Sequence, residues 1–296
     1  MNKKQVDPSS EDRKSQRENR ERIFIVIFIV VALTSGWLGV LVDRLLPAQP
    51  GEESLGMGIW LVLPFLCGLF IRTLRRDWGD FGIRPRLRGN GVWYALAALV
   101  FPAVTLVFAV IGRAFGVVSF SLGSVVSVTS MLGALFIGLI IKNIFEDFAW
   151  QGFLMPKLVS DRAGDLWIYL IVGLVWAFWH APYYLVFLPE TYYSSFSGRL
   201  VDTFVRSPII IMIWAVLFVE MTRITRSVWP AVLMHTVEDT VPNILLFDEG
   251  IITFHGWGEL LFNPLTGLLP LVVFLAFGLW LRKKRIERDR RELAAG

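Results

Sequence analysis

Residues 132–154 read LGALFIGLIIKNIFEDFAWQGFL, an apolar run that nevertheless carries Lys142, Glu146 and Asp147. A helix that crosses a bilayer needs about 20 mostly apolar residues, and this run has the required length. An ionisable group at membrane depth is costly unless it has a partner or lines a water-filled cavity. The run therefore predicts a membrane helix that contributes acids to a buried polar site.

Two further apolar stretches carry polar groups. Trp176-Ala177-Phe178-Trp179-His180 ends in a histidine, and His235-Thr236-Val237-Glu238-Asp239 holds a histidine and two acids. The chain has three histidines, and two of them lie in these stretches. His235 and Asp239 are four residues apart, which places both on one face of a helix. We therefore predict one buried polar site built by three helices.

The composition of the chain favours a polytopic membrane protein. Of its 296 residues, 55% are hydrophobic and 14% aromatic, and the mean hydropathy is +0.58, which is too apolar for a soluble domain. The predicted fold is all-α, a bundle of about eight transmembrane helices. The predicted spans are Ile23–Val42, Ser54–Ile71, Gly91–Gly112, Leu132–Leu154, Leu166–Leu188, Ser207–Thr222, Ser227–Phe247 and Leu260–Leu281.

The chain reads as one domain with a charged tail at each end. Residues 1–22 are predicted to form a disordered cytoplasmic tail, residues 23–281 the transmembrane helical domain, and residues 282–296 a basic cytoplasmic tail. We find no internal repeat in the sequence.

The distribution of positive charge predicts the orientation in the membrane. Basic residues favour the cytoplasmic side, and both tails are basic, as is the loop after the second predicted span. We therefore expect an integral protein of the cell membrane with both termini in the cytoplasm. The net charge of +4 is explained by basic residues that contact the anionic inner leaflet. We therefore expect no nucleic-acid partner. The basic residues of the loop are Arg72, Arg75, Arg76, Arg84, Arg86 and Arg88.

The clustered acids and histidines point to hydrolysis. A carboxylate in an apolar cavity can act as a base, and a histidine beside it can hold and deprotonate a water molecule. A second histidine with an amide or carboxyl group can stabilise the developing oxyanion. The same groups could instead bind zinc with one position open for water, so zinc is a possible cofactor, although the first scheme needs none. The single Cys67 excludes a cysteine metal cluster.

The three motifs together resemble the CPBP family of intramembrane proteases, also called the Abi or CAAX-protease family. That family includes the endopeptidase that trims prenylated CAAX proteins. Its motifs are Glu-Glu-x-x-x-Arg, Phe-x-x-x-His and His-x-x-x-Asn/Asp on successive core helices. Here they correspond to Glu146-Asp147-x-x-x-Gln151, Trp176-x-x-x-His180 and His235-x-x-x-Asp239. The resemblance covers about residues 80–247 and includes a basic linker at Phe81–Leu87.

The resemblance implies an intramembrane endopeptidase whose cavity opens to the cytoplasm. In this scheme Glu146 and His180 activate water, while His235 and Asp239 serve the oxyanion. In the competing view of the family, a metalloprotease, the same four residues bind zinc. The implied partners are the lipid bilayer and a membrane-associated or prenylated protein or peptide substrate.

The motif departs from the family pattern at three supporting positions. Asp147 replaces the second Glu, Gln151 replaces the Arg, and Trp176 replaces the Phe. Without the Arg, the second acid lacks its charged partner, which favours an alternative function: a catalytically silent membrane partner or immunity-type protein. A proton-coupled transporter, with buried acids that relay protons, is a further alternative.

Overall fold

The computed structural model of the chain describes residues 8–47, 54–121, 125–188, 198–248 and 250–295. Within these ranges the regular secondary structure is helical apart from two short strands, which confirms the predicted all-α fold. The helices are α1 (Pro8–Leu45), α2 (Leu55–Arg75), α3 (Gly91–Ala114), α4 (Val125–Ala149), α5 (Met155–Ser160), α6 (Asp165–Trp179), α7 (Gly198–Val201), α8 (Ser207–Thr225), α9 (Trp229–Asn243), α10 (Trp257–Phe262) and α11 (Leu268–Ala295).

Four π-helical turns and one small sheet complete the described fold. The turns are Trp150–Leu154, Tyr183–Phe187, Asp202–Arg206 and Ile244–Asp248. Strand β1 (Val118–Phe120) pairs antiparallel with β2 (Ile252–Phe254), with Ser119 opposite Thr253.

Five helical segments among the described residues are long and apolar enough to cross a membrane. They are Asn19–Leu45, Leu55–Arg75, Gly91–Ala114, Asp165–Phe187 and Gly198–Thr225. They correspond to five of the predicted spans, while the other three fall on α4, on α9 and on α10 with α11. The count of eight spans therefore stays a prediction.

The last predicted span, Leu260–Leu281, is divided in the structure. Helix α10 ends at Phe262 and α11 begins at Leu268. The Asn263 side-chain oxygen accepts hydrogen bonds from the backbone N–H groups of Leu265 at 2.9 Å and Thr266 at 3.2 Å. An asparagine that bonds its own backbone in this way favours a turn over a continuous helix, and hydropathy alone does not detect it.

Both chain ends are helical beyond their apolar segments. Helix α1 begins at Pro8, inside the segment for which the sequence predicts a disordered tail, and residues 1–7 lie outside the described residues. Helix α11 continues through the basic tail to Ala295. Ion pairs with the bundle stabilise these extensions: Arg22 lies 2.9 Å from Asp161, and Arg285 lies 2.6 Å from Glu220.

The bundle has two ends that differ in charge. At the basic end lie the C-terminus of α2, the arginine-rich loop 76–90, α5, and the C-termini of α8 and α11. Arg223 and Arg285 both contact Asp165 there, at 2.7 and 2.8 Å. At the opposite end lie the N-termini of α2 and α8, the small sheet and α10.

Glycines allow the first two helices to pack closely. A Cβ atom added to Gly39 would lie 2.2 Å from the backbone oxygen of Gly56, so neither position has room for a side chain. Small residues permit such close contact between membrane helices. A Cβ on Gly36 would likewise meet Pro182 at 2.6 Å and Trp60 at 2.7 Å. These contacts place α2 beside the end of α6.

A fully buried arginine stabilises the π-turn that follows α4. The Arg72 guanidinium donates two hydrogen bonds to the Gly152 backbone oxygen, at 2.6 and 3.1 Å. It also donates to the backbone oxygen of Asp77 at 2.6 Å and to the Asp80 carboxylate at 2.7 Å. A π-turn leaves backbone groups without their usual helical partners, and Arg72 supplies one.

A second ion pair lies next to this contact, outside the predicted spans. Lys157 on α5 donates a hydrogen bond to the Asp77 carboxylate. Burial by itself raises the pKa of Asp77, but Lys157, Arg72 and Arg75 together lower it by more, so the pKa lies below its usual value. Loop 76–90 is therefore joined to α5 by a charged contact.

Replacement of Arg72 by Met tests this arrangement. Since the variant removes charged donors from buried acceptors, we expect a loss of about 2–3 kcal/mol in unfolding free energy. That loss corresponds to a fall of roughly 4–10 °C in the melting temperature of the detergent-solubilised protein. Arg88→Met, in the same loop but exposed, is the control and should shift the melting temperature little. Equal shifts in the two variants would contradict the assigned role of Arg72.

Candidate active site

Three helices bring the predicted polar residues together. Helix α4 contributes Lys142 and Glu146 from one face and Asn143 and Asp147 from the neighbouring face. The end of α6 contributes Trp176 and His180. Helix α9 contributes His235, Glu238 and Asp239. The spacings of three and four residues place each pair on one side of its helix.

Glu146 lies at the centre of the cluster and is 1% exposed. Its Oε1 atom accepts a hydrogen bond from Trp176 Nε1 at 2.6 Å, and the same oxygen lies 3.6 Å from His180 Nε2. Its Oε2 atom lies 3.3 Å from Lys142 Nζ. The Trp176 donor and the Lys142 ammonium stabilise a carboxylate that would otherwise be expensive to bury.

His180 is brought to Glu146 by the way α6 ends. The helix stops at Trp179, and His180 is its C-cap residue, two positions before Pro182. His180 Nδ1 lies 2.9 Å from the Trp176 backbone oxygen. Because a carbonyl oxygen only accepts, Nδ1 carries the hydrogen, and in the neutral ring Nε2 is left as an acceptor that faces Glu146.

His235 lies between two acids of different helices. Its Nδ1 atom is 3.3 Å from Asp147 Oδ2, and its Nε2 atom is 4.0 Å from Asp239 Oδ2. The ring also packs edge-on against Trp176 and Phe218, with centroids 5.6 and 5.5 Å apart. Asp147 therefore orients His235 from behind and does not contact the Glu146 side of the cluster.

Lys142 joins the two halves of the site. Its Nζ atom lies 3.3 Å from Glu146 Oε2 and 3.0 Å from Asp239 Oδ2. Asn143 also donates to Asp239 Oδ2, at 2.8 Å. Glu146, His180, His235 and Asp239 are thus connected through Lys142 and Trp176 by contacts no longer than 4.0 Å.

Gln151 does not take the place of the family arginine. It lies in the π-turn Trp150–Leu154 and is fully buried. Neither atom of its amide has a hydrogen-bond partner among the described residues. The π-turn begins at Trp150, one residue before Gln151. Its wider spacing moves Gln151 away from the helix face that carries Asp147.

A cavity of about 770 Å³ adjoins the cluster. Lys142, Trp176, His180, His235, Glu238 and Asp239 line its inner part, and Trp60, Tyr183 and Tyr184 add aromatic walls. Volumes of about 300–1,000 Å³ are usual for binding pockets. A largely apolar cavity with a few converging polar groups suits a peptide segment that is itself apolar.

The cavity extends toward the end opposite the basic one. Its outer lining includes Ser54, Leu188, Arg206, Asn243 and Glu259, which lie at the ends of α2, α6, α8, α9 and α10 remote from loop 76–90. The sequence predicts both a cytoplasmic basic end and a cavity open to the cytoplasm. In this structure the basic end and the outer part of the cavity lie at opposite ends of the bundle, so the two expectations cannot both hold.

Sequence reasoning missed several residues of the site. Asn143 precedes Asp147 by one helical turn, and this spacing could have identified it. Tyr184, whose ring stacks on His180 with centroids 5.4 Å apart, follows it by the same spacing. The Trp60 indole donates a hydrogen bond to the Trp179 backbone oxygen at 2.8 Å, and the Trp179 indole donates to the Trp60 backbone oxygen at 3.2 Å. No local pattern could predict that contact between distant helices.

Part of the chain matches a known protein family. Residues 128–241 match a family model described as type II CAAX prenyl endopeptidase Rce1-like. The resemblance to the CAAX-protease family is confirmed. The matched segment contains the entire polar cluster. No curated protein matches the chain. The CAAX-protease match and the apolar helices support an integral membrane endopeptidase in general terms.

The zinc centre considered for CAAX proteases does not fit these residues as they lie here. One ring nitrogen of His235 and one carboxylate oxygen each of Glu238 and Asp239 lie within 4.8 Å of one another, close enough for a shared ion. However, the Lys142 ammonium is 3.0 Å from Asp239 Oδ2 and 3.3 Å from Glu146 Oε2. A cation in this position repels a divalent ion and already binds one carboxylate oxygen each of Glu146 and Asp239.

Zinc analysis of the purified protein tests this conclusion. The native protein should contain well under about 0.2 zinc per chain after dialysis, since bound structural or catalytic zinc is normally near one per site. Lys142→Met removes the competing ammonium and should raise zinc retention at pH 7. A native protein that retains about one zinc per chain would contradict the assignment, whatever the variant does.

Proposed function

We propose that the chain is an intramembrane endopeptidase of the CAAX-protease type, in which Glu146 activates the attacking water. The observation that carries this proposal is the buried Glu146 carboxylate 3.6 Å from Nε2 of His180, a residue that lines the cavity. A water that lies beside this pair can hydrogen-bond to both groups. The match over residues 128–241 supports the same reaction class.

The proposed reaction divides into two proton transfers. A water held between Glu146 Oε1 and His180 Nε2 loses a proton to Glu146, and its oxygen bonds to the peptide carbonyl carbon. Glu146 then passes the proton to the amide nitrogen as the carbon–nitrogen bond breaks. General acid–base catalysis of this kind contributes about 10²–10⁴-fold. His180 orients the water, because its Nδ1–H is fixed by the Trp176 carbonyl.

Stabilisation of the oxyanion is assigned to residues on the other side of the cluster, Lys142 and His235. Lys142 faces the cavity and can donate to the carbonyl oxygen as it becomes charged. His235, oriented by Asp147, adds a donor when its Nε2 carries a hydrogen, and Asp239 holds Lys142 in place. We infer that Lys142 supplies the positive charge that the family pattern places at the position of Gln151.

The cavity walls suggest the class of substrate. Trp60, Tyr183 and Tyr184 provide apolar surface next to the reactive groups. The family is described as a prenyl endopeptidase, and aromatic walls of this kind accept an isoprenoid or an apolar membrane segment equally well. We therefore propose a membrane-associated or prenylated protein or peptide as the substrate.

One observation favours a catalytically silent protein as the second candidate function. Gln151 replaces the family arginine and is buried without a hydrogen-bond partner among the described residues. In that case the cluster would be a structural remnant, and the chain would act as a membrane partner. Loss of cleavage on substitution of Glu146 distinguishes the two functions.

We further propose that the basic end lies in the cytoplasm. The arginines of loop 76–90 and the basic part of α11 lie together there, and anionic lipids favour this placement. Both termini would then be cytoplasmic, and the cavity would face the other side of the membrane, contrary to the opening implied by the family resemblance.

Glu146→Gln should abolish cleavage of a reporter substrate in membranes, with a loss of at least about 100-fold, because the amide cannot accept the proton of water. Asp147→Asn is the matched control, an adjacent buried acid changed in the same way. It should cost about tenfold, the lower end of the usual loss for an orienting partner, since Asp147 acts only by orienting His235.

Amounts of both variants in the membrane must be equal for this comparison. If Asp147→Asn abolishes cleavage while Glu146→Gln cuts normally, the roles assigned on α4 are wrong. If no wild-type cleavage is found with prenylated or apolar peptide libraries, the silent function is favoured.

Cysteine labelling of whole cells tests the orientation. In a Cys67→Ser background the chain has no other cysteine. Ser121→Cys, exposed at the opposite end, should react with a membrane-impermeant maleimide from outside. Gly79→Cys, exposed at the basic end, should react only after permeabilisation. The reverse pattern would place the cavity toward the cytoplasm and the basic end outside.

A further inference from the structure

A second cavity, of about 760 Å³, lies at the basic end of the bundle. It is bounded by loop 78–86, α5, and the C-terminal parts of α8 and α11, and it shares no lining residue with the cavity at the candidate active site. Its position at the ends of the membrane helices places it at the depth of lipid headgroups.

The wall of this cavity is strongly basic. Its six arginines are Arg84, Arg86, Arg223, Arg226, Arg285 and Arg288. Only two acids line it, Asp80 and Asp289, and both already have partners. Asp80 lies 2.7 Å from Arg72, and Asp289 lies 2.7 Å from Arg288. The lining therefore carries an excess of positive charge.

The arginines differ in how far they are neutralised. Arg223 and Arg285 share Asp165 and Glu220, at distances between 2.6 and 3.2 Å. Arg226 and Arg288 pair with acids near the end of α11. Arg84 and Arg86, in contrast, are exposed and form no ion pair within the described part of the chain. These two guanidinium groups are free to bind an anion.

The loop that carries Arg84 and Arg86 is fixed in place. Asn90 Nδ2 donates to the backbone oxygens of Arg86 at 2.8 Å and Thr225 at 3.1 Å. Trp229 Nε1 donates to the Ile83 oxygen at 2.6 Å. Arg86 has a left-handed backbone (φ 49°), which is unfavourable for a residue with a Cβ and is maintained by these contacts. The arginines are thus presented on a fixed backbone.

The cavity also has an apolar side. Trp78, Ile83 and Val159 line it, and all three side chains are exposed. Thr222, another lining residue, is 4% exposed, and its hydroxyl has no hydrogen-bond partner among the described residues. A ligand with an anionic headgroup and an apolar chain would bind the arginines through its headgroup and the apolar side of the cavity through its chain.

We propose that this cavity binds the headgroup of an anionic phospholipid. Arg84 and Arg86 hold the phosphate, since a guanidinium donates two parallel hydrogen bonds to phosphate oxygens. The acyl chains leave along Trp78, Ile83 and Val159 into the bilayer. Basic pockets between membrane helices on the cytoplasmic side bind phosphate-bearing headgroups in this way.

Titration of the detergent-solubilised full-length protein with single lipids, followed by native mass spectrometry, tests the proposal. Detergent removes the surface potential of a bilayer, so retained lipid reports a defined site. Phosphatidylglycerol should bind more tightly than phosphatidylcholine of the same chain length. The double variant Arg84→Gln/Arg86→Gln should lower its affinity by roughly tenfold or more, since it removes both charged donors that hold the phosphate.

Arg76→Gln/Arg88→Gln is the matched control. It removes two charges from the same loop, neither residue lines the cavity, and Arg76 has the same left-handed backbone as Arg86 (φ 52°). This pair should lower the affinity by less than about threefold. The melting temperatures of both variants should equal that of the native protein, which excludes misfolding.

Three outcomes would overturn the proposal. Equal losses in the two double variants would mean that general positive charge, and not this cavity, attracts the lipid. Equal affinity for phosphatidylcholine would mean that the anionic headgroup is not recognised. Inorganic phosphate that displaces phosphatidylglycerol at equal concentration would assign the cavity to a free anion and not to a lipid.

Discussion

The burial of the Glu146 carboxylate is the constraint on which the arrangement of the core depends. A charge in a low-dielectric interior must be compensated by nearby donors, and no single helix supplies enough of them. Trp176 donates from α6, Lys142 comes from α4 itself, and Lys142 in turn needs Asp239 from α9. Three helices are therefore fixed relative to one another by one carboxylate, and the geometry that compensates its charge also leaves Oε1 facing an imidazole.

The members of the site could be predicted because each motif is local. Residues three and four apart share a helix face, so Glu146, His180, His235 and Asp239 were recognisable as polar groups in apolar helices. What joins the motifs was not predictable in the same way. The link from Lys142 to Asp239 crosses between helices, and the approach of His180 depends on α6 ending at Trp179, which hydropathy does not show. The turn at Asn263 was missed for a related reason, because a hydrogen bond from the backbone to a side chain decides it.

The departures from the family motif are consistent with a redistribution of charge. The family places its arginine one turn after the second acid, where this chain has a neutral amide. Here a lysine lies one turn before the first acid and contacts two carboxylates. The positive charge thus stays within the cluster but moves toward the cavity and toward α9. Asp147, left without an arginine, is bonded across the helix interface to His235 and becomes part of its support.

The π-turn at Trp150–Leu154 has a consequence for how this helix tolerates insertions and deletions. A π-turn contains about one residue more per turn than an α-helix, so it sets back the helical phase of every residue after it by roughly 100°, as if that one residue were absent. Glu146 lies before the turn, while Gly152 and Lys157, which bond Arg72 and Asp77, lie within and after it. Loss of a single residue from the turn, with return to a regular helix, would therefore leave α5 facing the same partners. A residue lost or gained between the turn and Lys157 would instead rotate Lys157 away from Asp77 by about 100°. The π-turn is thus the place in this helix where a single-residue deletion should be tolerated, while length changes on either side of it should not.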